Sequence, residues 1–275
     1  MAGGRDGFPL PEGMVMRAWR LLDTGALPAA LNIGIDQALL HLYARDESPP
    51  TLRFYRWSPS AISLGYFQSK HTFDLAACHK MGLDIVRRPT GGQAVLHERD
   101  LTYSVIAGVG EGLPDTPASA CDLLCKGLLA GFKLLGVEAE RGTVNMSDPD
   151  MQICFVQFTL GDLLHKGKKF VGNAQIWQGS SLLQQGSIVL EPQLETWVKL
   201  LLHDNSASQS LRRRLQDRMT SLKEILGRHV EPEEVKAALV AGMAGTLGIE
   251  FQSGKLGSEE WALACDFASE GIFNY

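Results

Sequence analysis

Cys154 follows a polar loop and stands in the string Gln152-Ile153-Cys154-Phe155. A cysteine thiolate is a strong nucleophile and can carry an acyl group as a thioester. A thiol between apolar neighbours is more often an inert core residue. The preceding loop, residues 141–150, is rich in Gly, Asn, Ser and Pro and would leave a nucleophile accessible. The residues alone leave both interpretations open.

A second candidate is the segment from Arg87 to His97, which contains two arginines, two adjacent glycines and a histidine. Gly91 and Gly92 allow the backbone to take positive φ and to approach a ligand closely. The alternative is a hairpin turn that needs glycine only for its shape. Because the segment lacks both the P-loop lysine and a third spaced glycine, it predicts neither a P-loop nor a dinucleotide site.

A third candidate is the strand-like run that begins with Lys168 and Lys169, just after the tight Lys166-Gly167 turn. Lysines beside such a turn are usually solvated edge charges. Spacing alone does not indicate that Lys169 turns inward. Glycine in the middle of a strand, here Gly172, indicates close approach of a backbone or a ligand. Regular alternation places Lys169, Val171 and Asn173 on one face and Lys168, Phe170 and Gly172 on the other.

The cysteines and histidines do not predict a metal site. The chain has five cysteines and no C-x-x-C pair, and its seven histidines show no H-x-x-x-H spacing. Cys121 and Cys125 lie four residues apart in an apolar helical stretch, which places them on one face. Neither has a matching Cys or His pair nearby, so zinc is not expected.

Composition excludes several other classes of protein. The net charge of −5 argues against a nucleic-acid binder, and Arg212 to Arg214 are typical of a solvated helix face. The polar N-terminus lacks a signal peptide's apolar stretch, and no window approaches 18 apolar residues. We therefore expect no membrane span and a reducing, cytoplasmic location.

Hydrophobic periodicity predicts one α+β domain with a helical C-terminal portion. We expect a flexible leader over residues 1–14, a single domain over 15–275, and helices from about residue 192 onward. Predicted strands lie at 17–21, 51–57, 61–66, 84–87, 93–96, 101–107, 158–165, 168–177 and 181–189. Predicted helices lie at 28–43, 73–81, 118–135, 194–202, 208–219, 222–226 and 231–247.

Taken in order, several segments resemble the lipoate/octanoate protein ligase and transferase superfamily. They are Arg53-Phe54-Tyr55-Arg56-Trp57, Ser63-Leu64-Gly65-Tyr66-Phe67-Gln68, Arg87-Arg88-Pro89-Thr90-Gly91-Gly92, Val95-Leu96-His97, Leu101-Thr102-Tyr103-Ser104-Val105 and Lys169-Phe170-Val171-Gly172-Asn173-Ala174-Gln175. Cys154-Phe155 and Gln184-Gln185-Gly186-Ser187-Ile188 are similar to strings of the octanoyltransferases that load the glycine-cleavage H protein. The resemblance implies an α/β domain with a mixed, mainly antiparallel sheet flanked by helices, as in biotin protein ligases.

The resemblance also implies a mechanism with two acyl exchanges. Octanoyl would arrive on acyl carrier protein, form a thioester on Cys154, and leave on a lysine of the H protein or another lipoyl-domain protein. Lys169 would donate to the thioester carbonyl, and Gly91, Gly92 and His97 would line the acyl and carbonyl site. Arg87 and Gly172 complete the predicted substrate-binding residues. No cofactor or metal is implied.

Three alternatives remain at this point. An amidotransferase would move octanoyl from the H protein to other lipoyl domains through the same cysteine. An ATP-dependent lipoate ligase would need a nucleotide loop, and this chain has Gln93 where the ligases typically carry a third glycine. An inactive acyl-binding module would need neither Cys154 nor Lys169.

Docking of an acidic carrier protein would require a local basic patch on this mildly acidic chain. Its candidates are Arg87, Arg88, Lys166 and Lys168, for which ordinary surface charge is the alternative interpretation.

Overall fold

The computed structural model describes residues 17–69, 73, 75–144, 153–201 and 208–270. The predicted leader, residues 1–14, lies outside the described residues. The strands are β1 (Arg17–Leu27), β2 (Thr51–Trp57), β3 (Ala61–Leu64), β4 (Asp84–Arg87), β5 (Val95–His97), β6 (Asp100–Gly108), β7 (Glu140–Arg141), β8 (Leu163–His165), β9 (Lys168–Gln178), β10 (Ser181–Val189) and β11 (Ile249–Ser253). The helices are α1 (Ala29–Tyr43), α2 (Leu75–Lys80), α3 (Pro117–Leu134), α4 (Leu194–Leu201), α5 (Ser208–Arg218), α6 (Leu222–Leu226), α7 (Pro232–Leu247) and α8 (Ser258–Glu270).

Eight strands form one sheet in the order β11-β1-β2-β6-β10-β9-β8-β7. The pairs β11–β1 and β1–β2 are parallel, and the other pairs are antiparallel. A smaller sheet has the order β4-β3-β5 and carries the Gly91-Gly92 segment between β4 and β5. The predicted mixed, mainly antiparallel sheet flanked by helices is therefore confirmed.

Alternating side chains of the large sheet build two apolar layers. One face packs against α3 and α7, where Phe54, Tyr103 and Val105 meet Leu128 and Leu239. The other face packs against α1 and α8, and its sheet side chains include Leu22, Ile106 and Leu183. A third cluster lies between the small sheet, α4 and α5, and it includes the residues that flank Cys154.

The predicted helices are found, with local signals at their ends. Pro28 precedes α1. Thr116 caps α3 by accepting a hydrogen bond from the Ser119 amide, and Pro117 occupies its first turn, as is typical of helix N-termini. Gly248 takes positive φ and ends α7.

The prediction of an all-helical portion after residue 192 is wrong in one place. Residues 249–253 form the strand β11, which pairs with β1 in parallel. Its sequence, Ile-Glu-Phe-Gln-Ser, alternates between apolar and polar residues, and this period of two is the signal that predicts a strand. The predicted arm 158–165 is shorter, because only Leu163–His165 is extended.

A buried ion pair joins α1 to the sheet. The Asp36 carboxylate accepts from Arg53 Nη1 at 2.6 Å, and neither side chain is exposed to solvent. Asp36 also accepts from the Tyr55 hydroxyl at 2.8 Å and from Gln185 Nε2 at 2.7 Å. Burial and the adjacent Asp36 charge raise the pKa of Tyr55, so its hydroxyl stays protonated and donates. Tyr55 and Gln185 are thus fixed on the α1 face of the sheet.

We predict that Arg53→Ala lowers the free energy of unfolding by about 3–5 kcal/mol, because it leaves the Asp36 carboxylate buried without its partner. Urea unfolding followed by circular dichroism measures this loss. Arg56→Ala is the matched control, since Arg56 lies on the same strand but is exposed, and a surface change is expected to stay within about 0.5 kcal/mol. Equal losses in the two variants would contradict the prediction.

Candidate active site

Cys154 begins a short 3-10 turn, Cys154–Val156, that is pinned beside the Gly91-Gly92 segment. Its backbone N–H donates to the Ala94 carbonyl at 2.9 Å. The next two side chains, Phe155 and Val156, are buried in the cluster below the small sheet. The Cys154 side chain is only partly buried and lines a cavity. The apolar neighbours therefore anchor the turn and leave the thiol accessible.

Lys169 turns inward, which its spacing did not indicate. Its side chain is 1% exposed, and its Nζ lies 3.2 Å from Cys154 Sγ. The same ammonium donates to the Cys154 carbonyl at 2.8 Å and to the Gln157 carbonyl at 3.3 Å. The Cys154 thiol and the Lys169 ammonium are thus in direct contact inside the protein.

Asp162, which was not among the predicted site residues, balances this buried charge. Its carboxylate lies 2.9 Å from Lys169 Nζ and is itself buried. The backbone N–H of Thr159 donates to it at 2.6 Å, and that of Asn173 at 3.3 Å. The sequence contained a signal for this ion pair. Asp162 directly precedes β8, and the two lysines begin β9, its hairpin partner, so opposite charges lie on adjacent strands.

The surroundings keep Lys169 charged. Burial alone would lower the pKa of Lys169, but attraction to Cys154 and Asp162 and hydrogen bonds to both raise it above its ordinary value. The side chain therefore acts as a fixed cation beside the sulfur, not as a group that exchanges protons near neutral pH. Its charge stabilises negative charge on the sulfur or on an oxygen placed next to it.

The predicted alternation along β9 is wrong between Lys169 and Gly172. Leu164 pairs with Lys169, but its neighbour Leu163 pairs with Val171. Phe170 is the extra residue, so the strand contains a bulge there. The bulge shifts the alternation by one residue and brings Lys169 and Gly172 to the same site, where both line the cavity.

Gly172 has no room for a side chain. A Cβ built on it would stand 3.1 Å from Lys169 Cε and 3.2 Å from Cys154 Sγ. Both contacts are tighter than ordinary van der Waals packing. The close approach predicted at this glycine therefore involves the site's own two reactive side chains.

Arg88, not Arg87, enters the cavity wall. Its guanidinium is buried and donates to the carbonyls of Ser63 at 2.8 Å, Gly91 at 2.7 Å and Gln93 at 2.8 Å. Burial lowers its pKa, while the Cys154 charge opposes that shift. Because Arg88 is buried, it does not belong to a surface docking patch. Gly92 lines the cavity with a φ of 88°, a value that favours glycine.

Arg87 organises the neighbouring loop. Its Nη1 donates to the carbonyls of Gly65, Tyr66 and Gln68 at 2.7–2.8 Å. Gly65 in turn lies against the Gly92 carbonyl, with no space for a Cβ. Arg87 is not among the described residues that line the cavity. It supports the Gly91-Gly92 segment indirectly, through its hydrogen bond to Gly65.

His97 lies in the cavity wall. Its Nδ1 is 2.9 Å from the Asp100 carboxylate and its Nε2 is 2.8 Å from Ser63 Oγ. The ring stacks on Trp57 at a centroid distance of 3.9 Å. Since Asp100 accepts only, Nδ1 carries a proton, and the Ser63 hydroxyl can donate to Nε2.

The cavity has a volume of about 220 Å³ and brings together Cys154, Lys169, Gly92, His97 and Gly172. A cavity of ~150 Å³ holds benzene, with six carbons, so a cavity of this size suits a group of roughly eight or nine carbons. A thiol, a fixed cation and an apolar recess can together support acyl transfer through a thioester.

In the part of the chain that the structure describes, no cluster of three or more His, Cys, Asp or Glu side chains could hold a metal ion. None of the described helices is long and apolar enough to cross a membrane.

Comparisons with known proteins found a matching family model, similar sequences and a similar fold. Residues 28–244 match the family model described as the lipoyl protein ligase A/B catalytic domain. The chain is 38% identical over 256 residues to "Octanoyltransferase LipM" of Kyrpidia tusciae, covering 89% of this chain and 93% of that protein. It is 33% identical over 259 residues to the protein of that name in Bacillus subtilis, covering 90% and 92%. The fold is similar to a bipartite lipoate protein ligase from Thermoplasma acidophilum, with a TM-score of 0.76, 23% identity and coverage of 92% and 93%.

A second pair of thiols lies on α3 behind the Asp162 turn. Cys121 Sγ and Cys125 Sγ are 4.0 Å apart, which confirms that they share one helix face. A hydrogen bond from Cys125 lowers the pKa of Cys121 to about 7, and the same contact together with burial raises the pKa of Cys125. Cys121 is partly buried, whereas Cys125 is fully buried.

We predict that in a Cys154→Ala background Cys121 is alkylated by iodoacetamide with a midpoint near pH 7, because its thiolate forms at lower pH than an ordinary thiol's. Peptide mass mapping across a pH series measures the midpoint. Adding Cys125→Ala removes the hydrogen-bond donor, so the midpoint is expected to move upward. An unchanged midpoint in that variant would rule out the hydrogen bond as the cause.

Proposed function

Because this chain belongs to the lipoyl protein ligase A/B catalytic domain family, we propose that it is an octanoyltransferase of lipoate biosynthesis that carries octanoyl on Cys154. The observation that carries the proposal is the 3.2 Å contact between Cys154 Sγ and the buried Lys169 ammonium at the cavity. The names of the curated relatives at 33–38% identity support octanoyl as the group transferred.

The first step moves octanoyl from a thioester of acyl carrier protein to the enzyme. The Cys154 thiolate attacks the carbonyl carbon, and the carbonyl oxygen takes the negative charge. Lys169 Nζ is the cation close enough to meet that oxygen, since it already lies beside the sulfur. The carbon–sulfur bond to the carrier breaks, and the carrier thiolate leaves and takes a proton.

The second step moves octanoyl to a lysine amine of a lipoyl-domain protein, for which the glycine-cleavage H protein is our candidate. The amine attacks the thioester carbon on Cys154 and forms an amide. The bond to Cys154 Sγ breaks, and the proton lost by the amine is balanced by the thiol that Cys154 regains. The reaction consumes no ATP, because the thioester itself supplies the activated acyl group.

The site is arranged for both steps. Gly172 leaves space for the sulfur and for Lys169, as the distances from its Cβ position indicate. Asp162 remains paired to Lys169, so the cation stays in place when the charge on sulfur is discharged. Arg88 fixes the Gly91-Gly92 backbone next to the same cavity.

We predict that octanoyl-acyl carrier protein, without ATP, adds one octanoyl mass to the protein and that hydroxylamine removes it. Intact mass spectrometry measures the adduct. Cys154→Ala should form none, whereas Cys121→Ala, which changes another partly buried thiol, should form it normally. If folded wild-type protein forms no adduct from octanoyl-acyl carrier protein but modifies a lipoyl-domain protein when ATP and free octanoate are supplied, the chain is an ATP-dependent ligase.

We predict that Lys169→Met slows formation of this adduct by about 10²–10³-fold, the usual cost of losing one donor to a developing oxyanion. Rapid-quench mass spectrometry in a single turnover measures the rate. Lys168→Met is the matched control, because the preceding lysine is not buried and should retain near wild-type rates. Circular dichroism shows whether both variants are folded, and equal rates in folded variants would remove Lys169 from the mechanism.

A further inference from the structure

The arginine-rich helix α5 packs against the turn that carries the reactive thiol. Leu215 is buried in the same apolar cluster as Phe155, the residue after the nucleophile, and Leu211, one helical turn earlier, packs against that cluster. Just after the helix, the backbone N–H of Thr220 donates to the Lys169 carbonyl at 3.0 Å. The position of α5 is therefore fixed relative to both reactive side chains.

The other side of α5 is basic. Its eleven residues include four arginines and one acidic residue, Asp217. Arg212 forms an ion pair with Glu195 on α4. Arg213 and Arg214 are exposed, and at about 3.6 residues per turn Arg213 lies on the side opposite the leucines. The helix thus carries an excess of positive charge on a chain whose net charge is −5.

Arg218, at the end of α5, connects this basic side to the active site. Its half-buried guanidinium lies 5.2 Å from the centre of the Phe158 ring, where the negative face of the ring attracts a cation. The two neighbours of Phe158, Gln157 and Thr159, line the cavity that contains Cys154. The basic side of the helix therefore begins next to the cavity wall.

Two of the arginines predicted for carrier docking have other contacts. Arg88 is buried in the cavity wall, and Arg87 donates to three carbonyls of the neighbouring loop. An acidic carrier protein would need a basic surface elsewhere near the site, and α5 supplies one.

The position of α5 fits a partner that delivers its acyl group on a long arm. A helix with its side chains is about 10–12 Å across, so the exposed arginines lie roughly that far from the Cys154 turn. At about 1.2 Å per bond, the advance of an extended backbone, a lysine side chain reaches only about 6 Å. The phosphopantetheine arm of acyl carrier protein has about fourteen bonds and extends roughly 15–17 Å. A carrier seated on α5 can therefore present its thioester to Cys154, whereas an acceptor lysine must enter at the cavity itself.

We propose that the basic side of α5, formed by Arg213 and Arg214 and flanked by Arg218, is the docking surface for the acidic acyl carrier protein that donates octanoyl. This inference rests on the proposed function for the identity of the donor. Exposed charges of this kind act mainly on the rate of encounter and on the choice of partner. Their loss should therefore slow delivery of the acyl group without altering the chemistry at Cys154.

The test compares a donor on the carrier with a donor that has none. Second-order rate constants for acyl-enzyme formation are measured by intact mass with octanoyl-acyl carrier protein and with octanoyl-N-acetylcysteamine, a small thioester. We expect Arg213→Glu/Arg214→Glu to lower the rate constant with the carrier by about 10-fold or more at low ionic strength. The rate with the small thioester should stay at the wild-type value, because neither arginine is among the described residues that line the cavity. Added salt should narrow the difference with the carrier, since it screens exposed charges.

Lys133→Glu/Lys255→Glu is the matched control. Both lysines are exposed, on α3 and after β11, and the net charge of the protein changes by the same amount. This variant should keep near wild-type rates with both donors. An equal loss with the carrier in the two double variants would overturn the docking surface, because net charge alone would then account for it.

Two further outcomes would also contradict the proposal. One is a folded α5 variant that reacts with the carrier at the wild-type rate, and the other is an equal loss with both donors, which would mean that the Cys154 turn is disturbed. If wild type reacts with neither donor, the proposed function fails. Docking is then judged by the dissociation constant of acyl carrier protein, which should rise about 10-fold or more in the α5 variant and not in the control. Absence of binding to wild type, or equal affinity in the two variants, would overturn it.

Discussion

The buried ammonium of Lys169 is the constraint on which the site depends. An unpaired charge in the protein interior costs several kcal/mol, so the fold must surround it with acceptors. Asp162 and the carbonyls of Cys154 and Gln157 do this. These groups come from the turn that carries the thiol and from the loop before β8. The contacts that stabilise the Lys169 ammonium thereby also hold Cys154 in place.

The strand register of the large sheet determines how far each paired residue lies from the Cys154 thiol. Its strands lie at a nearly constant spacing, so residues paired across it stand at known separations from the thiol. Gly172, Ser187 and Thr102 are small, and they leave room above the sheet where other rows carry large apolar side chains. The α1 face is fixed in turn by Asp36, whose hydrogen bonds orient Tyr55. A cavity therefore lies on the α1 face of the sheet, beside the packed core.

Local sequence patterns were sufficient to predict most of the strands and helices. Period-two alternation and helix-end residues predicted the main strands and helices, since these signals act over a few neighbouring residues. They failed at the bulge at Phe170, because an inserted residue changes the faces of a strand without changing its composition. They also failed at β11, a five-residue edge strand that forms by pairing with β1, more than 200 residues earlier in the chain.

For the site, the sequence by itself determined the residue types: a thiol at Cys154, a lysine strand, and glycines where chains approach closely. Tertiary structure decided which charges are buried. It placed Lys169 inside, paired it with Asp162, and put Arg88 in the cavity wall in place of its neighbour Arg87. The physical reason is that a charge is stable inside a protein only where partners converge on it. Those partners come from separate elements, and only packing brings them together.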